Sequence, residues 1–258
     1  MKNNIGIEFI ERTKYRHLSE SDQAKGVEQP PLEQPYTGEG KHIDLPDPKT
    51  LDLPDIGLRN AIERRRSHRT FSRQPLTMDE LSYLLWCTQG VQRSASKTQS
   101  AGGFETLRTI RTVPSAGARH AFLTYLFINH VDGIPSGLYR FVALEHKLVE
   151  VDLDDALGKE IGRRCLDQTW MANAGVIFIW VADVYRMAWR YVERGYRYML
   201  YDAGHVCQNL YLVAESIGCG ACAIGAYDDD AMNELLNLDG VEQFVVYAAT
   251  VGKKASTS

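Results

Sequence analysis

The residues best suited to chemistry stand together at Glu63-Arg64-Arg65-Arg66-Ser67-His68-Arg69-Thr70-Phe71. Four arginines fill six positions there, in a chain whose net charge is −4, so the cluster is local rather than compositional. A guanidinium matches phosphate oxygens two at a time and keeps its charge when desolvated. One reading is a phosphate-bearing ligand gripped where a helix ends. A solvated basic helix end accounts for the same residues, because cations complement the negative C-terminal dipole. The helix is predicted over residues 55–62, with Asp55 as N-cap and with Leu58 and Ile62 one turn apart.

Other residues invite chemistry singly. Val113-Pro114-Ser115-Ala116-Gly117-Ala118 is a turn of small side chains. Tyr191, Tyr196, Tyr198 and Tyr201 could stack on a substrate or act as acids, but interface packing accounts for all except Tyr191. Cys219-Gly220-Ala221-Cys222 has the spacing of a dithiol or of half a zinc site. Neither a thioredoxin-like βαβ pattern nor a second such pair flanks it, and His205 and Cys207 would add ligands only if helix and loop converge. No metal is expected, and the cysteines read as small buried residues. His205 reads as structural, whereas His120 is open between a substrate-facing and a structural role. Asp228-Asp229-Asp230 is read as a helix start rather than a cation site.

The elements that must position these groups follow from pattern. Residues 1–54 are polar and broken by Gln29-Pro30-Pro31, Gln34-Pro35-Tyr36 and Leu45-Pro46-Asp47-Pro48, which forbids long helices and predicts an extended arm, over this domain or a second subunit, or else a disordered tail. Residues 55–258 are taken as one domain. Thr77 and Glu80 have capping-box spacing ahead of Leu81, Leu84 and Leu85, with Gly90 as the stop. Residues 92–112 are a loop by composition. Strands are predicted over 122–128, 137–141, 147–151, 176–182 and 244–251, with a hairpin through Glu145-His146. A helix over 198–217 turns Val206, Leu210, Val213 and Ile217 to one side and ends at Gly218. There is no regular βαβ beat and no GxGxxG, so the fold class is α+β, a mainly antiparallel sheet flanked by helices.

The bulk properties narrow the partners. A mildly acidic chain argues against nucleic acid, and no apolar run reaches the roughly 18 residues of a membrane span. The N-terminus leads into polar sequence without a secretory core. Five cysteines, an odd number, fit a reducing compartment, and a cytoplasmic location is expected.

Several segments read together resemble the FMN-dependent nitroreductase superfamily, and within it the branch of SagB-like (thiazole/oxazole-forming) peptide dehydrogenases. They are 65–71, 75–90, 113–118, 137–140, 195–205, 208–212 and 222–229, in the family's order. The resemblance implies an intertwined homodimer with two FMN molecules in clefts built by both subunits. It places Arg65 on the phosphate, Arg66 with Ser67 on the ribityl chain, and Arg69 at the N1–C2 edge, where a fixed cation stabilises the reduced anion. Pro114, Ser115, Ala116 and Gly117 would pass the pyrimidine end, their small side chains permitting close approach. Ala223, Ile224, Gly225 and Ala226 would cover the ring and offer an N–H to N5, and Lys253 or Lys254 would complete the phosphate site. The activity implied is two-electron ping-pong transfer from NAD(P)H to an organic acceptor. Alternatives are oxidation of peptide azolines to azoles with oxygen as acceptor, and a non-catalytic flavin-binding subunit of a biosynthetic complex.

The chain departs from the branch at two places. Arg119-His120-Ala121 follows the proline-serine turn where the branch has Leu-Tyr-Pro. Arg190-Tyr191, the catalytic candidates, stand where many members carry a Lys-Tyr pair that assists deprotonation. A guanidinium stays protonated near neutral pH and makes a poor general base.

Overall fold

The computed structural model describes residues 4–54, 56–98 and 105–255. Its helices are α1 (Ile5–Arg12), α2 (Leu58–Arg64), α3 (Met78–Gln89), α4 (Leu157–Arg164), α5 (Val184–Tyr191), α6 (Gly195–Ser216) and α7 (Asp229–Leu235). Its strands are β1 (His42–Asp44), β2 (Val91–Thr98), β3 (Glu105–Arg111), β4 (Phe122–Ile128), β5 (Gly137–Val142), β6 (Lys147–Asp152), β7 (Val176–Asp183), β8 (Cys219–Ile224) and β9 (Gln243–Lys253).

Among the described residues, seven strands make one sheet in the order β1-β6-β5-β4-β7-β9-β8, every neighbouring pair antiparallel. The central strand β7 is buried along its whole length, so both sheet faces must be covered. Its alternate residues sort the layers. Val176, Phe178, Trp180 and Ala182 join the core made with α3 and α6. Ile177, Ile179 and Val181 join a second core with Ile161 and Cys165 around α4 and Met232 and Leu236 around α7. This is the α+β sheet flanked by helices that the pattern predicts.

Local chemistry sets the ends of the helices. Thr77 and Glu80 form the reciprocal capping box of α3, whose Leu81, Leu84 and Leu85 are fully buried. Gly90 closes α3 for a spatial reason: a Cβ there would lie 2.3 Å from the Trp86 indole. On α6, Val206, Leu210 and Val213 enter the core, and Gly218 follows in the left-handed region at φ 74°. Asp228 caps α7 by accepting from the Ala231 amide, which accounts for the acidic run.

Three expectations are corrected. Residues 92–112 contain the antiparallel hairpin β2–β3. Thr109 and Arg111 point inward from β3, so serine and threonine content misled where period-two burial decided. The covering segment expected over 223–226 leaves the sheet only at Gly225: Ala223 and Ile224 end the edge strand β8, whose small residues, the buried Cys219 and Cys222 among them, acquire strand geometry from pairing with apolar β9. On α2, Leu58 and Ile62 face outward (67% and 53% exposed), and Ala61 is the buried contact. The helix opens at Gly57 without a side-chain cap, while Asp55 lies outside the described residues.

The first 54 residues include helix α1 ahead of the prolines and then run over α5 and the β5–β6 hairpin. The Gln23 amide donates to Trp189 O (2.9 Å) and the Trp189 indole to Val27 O (3.0 Å). The Glu33 carboxylate accepts from the amides of Ala143 and Leu144 at 3.0 and 2.9 Å. Strand β1 then adds to β6.

Candidate active site

Two clusters emerge, both anchored on α6. The first lies on the outer edge of β8. Ser67 pairs with Ala221 as in a parallel ladder, and the His68 amide donates to Ala221 O at 2.9 Å. The arginine segment therefore leaves α2 and crosses the sheet edge rather than ending in solvent. Tyr211 of α6 locks it in place. Its hydroxyl meets Ser67 Oγ at 2.9 Å and accepts the Ala223 amide at 2.7 Å, while the Arg65 guanidinium lies 5.2 Å over its ring. Arg66 Nη1 donates to the carbonyls of Glu63 and Arg65. Arg69 is exposed and acts on the Cys222 thiol, which burial pushes up while Arg69, Ser67 and Tyr211 pull the other way.

Among the described residues, no carboxylate lies within ion-pair distance of Arg65, Arg66 or Arg69. By contrast Arg64 pairs with Glu215 (3.5 Å), Lys254 with Glu215 (2.7 Å), and Lys253 with Glu80. Lys253 is thus turned toward the cap of α3. Beyond β8, Gly225 and Ala226 are exposed and their amides donate no hydrogen bond among the described residues. Ile224 is 2% exposed, its side chain in the second core, so only its backbone could meet a ligand.

The second cluster gathers the proline-serine turn and the end of α5. Ser115 Oγ donates to Asp202 Oδ2 (2.6 Å) and the Ala116 amide to Asp202 Oδ1 (3.1 Å), while the His120 amide donates to Ser115 Oγ (2.9 Å). Burial raises Asp202, with Ser115 and Ala116 opposing. Pro114 is exposed at the lip of this turn. Gly117 sits at φ 57°, and a Cβ there would stand 2.5 Å from the Tyr191 hydroxyl and 3.2 Å from Arg190 Nε. Glycine therefore suits the left-handed backbone and leaves room for the Tyr191 hydroxyl. Tyr191 packs edge-on to Tyr198 at 4.7 Å, and burial raises its phenol. The Arg190 guanidinium is 5.4 Å over the Tyr191 ring.

Asp202 and Tyr211 are nine residues apart on α6, about 13 Å along its axis and roughly half a turn out of phase. One copy of the chain therefore presents its two clusters in different directions.

The nitroreductase family profile matches residues 62–253, from the end of α2 to the end of β9. The chain belongs to the nitroreductase family. The protein MJ1384 of Methanocaldococcus jannaschii, which carries the name nitroreductase, is 32% identical over 217 residues, 84% of this chain and 98% of that one. The trifolitoxin-processing protein TfxB of Rhizobium leguminosarum bv. trifolii is 27% identical over 169 residues, 64% of this chain and 44% of its own length. A solved structure from Ralstonia eutropha, titled as a nitroreductase, superposes with a TM-score of 0.63 at 25% identity, covering 87% of this chain and 95% of that one. The fold of this family member is thus the nitroreductase fold.

FMN, the cofactor this family generally uses, fits the residues present. The β8 edge offers three guanidiniums, a serine hydroxyl and two free amides, a donor set complementary to a phosphate and a flavin pyrimidine ring. Sequence reasoning missed Tyr211 and Asp202 as site residues. For Asp202 a signal existed: its spacing from Met199 and Val206 puts a carboxylate on the buried side of an apolar helix. For Tyr211 there was none, because its hydroxyl partners lie far off in sequence. Among the described residues, no helix is long and apolar enough to cross a membrane, and no group of His, Cys, Asp and Glu is arranged to hold a metal.

Proposed function

We propose that this nitroreductase-family protein is an FMN-dependent oxidoreductase that passes two electrons from NAD(P)H to an organic acceptor, donor and acceptor entering one cleft in turn. The observation that carries the reading is the convergence of Arg65, Ser67 and Arg69 with Tyr211 on the outer edge of β8. Arg65 would hold the phosphate, Arg66 and Ser67 the ribityl chain, and Arg69 the pyrimidine edge. When bound, FMN supplies the reversible two-electron chemistry, and the protein supplies orientation and electrostatics. The Gly225 and Ala226 amides are free to donate at the ring, and the Ser115–Asp202 pair fixes the turn that brings Tyr191 alongside.

Because α6 points its two clusters different ways, the cleft is completed by a second copy, whose proline-serine turn would face the first copy's arginines. The exposed Leu58 and Ile62 of α2 and Leu200 and Tyr201 of α6 supply apolar surface for that homodimer. In this reading residues 55–258 are the flavin domain and residues 1–54 an arm over it. The five free cysteines suit the reducing cytoplasm.

Purified protein should be yellow, and anaerobic mixing with NADH or NADPH should bleach the flavin band. Colourless protein that ignores added FMN would sink the proposal. A second reading is favoured by the likeness to TfxB, named as a trifolitoxin-processing protein: a SagB-type dehydrogenase that oxidises a peptide azoline with oxygen as acceptor. Arg190 in place of lysine weighs against it, since a guanidinium does not accept the ring proton. Turnover of an azoline peptide under air, with nicotinamides inert, would decide for it.

A further inference from the structure

Each departure from the family pattern includes an arginine, and the fold brings the two together. Arg119 follows the turn that holds Gly117, and Arg190 Nε lies against that glycine. Arg119 is 4% exposed, with its guanidinium 5.1 Å over the Trp189 ring and its Nε buried without a partner. Behind it, Arg186 is fully buried and binds Asp183 (2.6 Å) and His120 O (3.0 Å). Arg111 binds Gln89 Oε1 (3.1 Å) and leaves Nη2 buried and unpartnered.

The nearby carboxylates are engaged elsewhere. Asp183 holds Arg186, Asp202 holds the proline-serine turn, and Glu33 takes two backbone amides. Among the described residues no carboxylate acts on Arg119; burial, then Arg190 and Arg186, lower it to about 10, with Tyr191 opposing. A buried guanidinium with an idle N–H, faced by aromatic rings and two further arginines, is an incomplete arrangement, which an anion completes.

We propose that Arg119 and Arg190 form an anion subsite beside Tyr191, and that the substrate of this cleft carries a carboxylate. The fork geometry of guanidinium suits a planar carboxylate, and the cationic pair sets it next to the Tyr191 hydroxyl. The reading of the cleft as an oxidoreductase site underlies the word substrate; the subsite itself rests on the arginines alone.

The test compares binding of para-nitrobenzoate and of its methyl ester to flavin-loaded protein, by calorimetry and by Trp189 fluorescence. The acid should bind about tenfold or more tightly than the ester, the factor that one charge-assisted hydrogen bond contributes. High salt should weaken the acid and leave the ester alone. Arg190→Gln, an exposed and fold-safe change, and Arg119→Gln should each erase the preference. Equal binding of acid and ester by the parent protein overturns the proposal. So does a variant that loses affinity for FMN but not for riboflavin, which would give the pair to the cofactor phosphate. Acid preference in a protein that no nicotinamide or peptide reduces would keep the subsite and sink the oxidoreductase reading; the reverse pattern would do the opposite.

Discussion

Tyr211→Phe isolates the bond that organises the β8 edge. The phenol oxygen joins two otherwise separate pieces, Ser67 at 2.9 Å and the Ala223 amide at 2.7 Å. Phenylalanine keeps the ring beneath Arg65, so packing and cation–π contact survive while the hydroxyl alone is lost. Ser67 is exposed and rehydrates at little cost. The Ala223 amide is half-buried against the ring and is left without an acceptor, which costs about 1–3 kcal/mol. Taking about 2 kcal/mol, and about 2–4 °C per kcal/mol for a chain of this size, the Tm of the flavin-free protein should fall by about 4–8 °C. FMN affinity should fall as well, by about fivefold, for about 1 kcal/mol of lost positioning. Thermal melts of flavin-free protein and an FMN titration read the two effects separately. A variant that melts within about 1 °C of the parent and binds FMN equally would refute the claim that this hydroxyl builds the site.

Three further outcomes follow from the geometry. Gly117→Ala adds a Cβ 2.5 Å from the Tyr191 hydroxyl at a residue with φ 57°. A left-handed alanine costs about 1–2 kcal/mol, so a lower Tm with intact FMN content and reduced turnover is expected; unchanged turnover would remove Tyr191 from the cleft. His120 is held down to about 3 by burial, with Arg111 next in weight, against an ordinary value of 6.5. The unfolded chain takes up that proton near 6.5 and the folded one only near 3, so stability present above 6.5 drains as pH falls, by about 2–3 kcal/mol between pH 7 and 4.5. Denaturant titrations of His120→Asn should lack that share of the slope, and identical slopes in parent and variant would count against it. Lys253→Met leaves the 6%-exposed Glu80 without its cation and should lower stability by about 2–4 kcal/mol while FMN affinity stays within about twofold. A tenfold or larger loss of FMN would instead return Lys253 to the phosphate site.

How much was legible varies by element. Capping box, apolar stripe and β-branched run are local signals, so α3, α6, β4, β7 and β9 were readable. The local concentration of guanidiniums over residues 64–69 was readable too, because charge travels with the residue type. The hairpin β2–β3 and the edge strand β8 were not, since their small and polar residues gain strand geometry only from the neighbours they pair with. The sequence by itself determined the layered α+β architecture, through periodicity and side-chain chemistry within one element. Only the tertiary structure decided that Tyr211 locks Ser67 to Ala223, that Lys253 answers Glu80, and that Arg119 and Arg190 share one corner. Each of those joins residues distant in the chain or on separate elements, and such contacts depend on how the layers dock rather than on any local pattern.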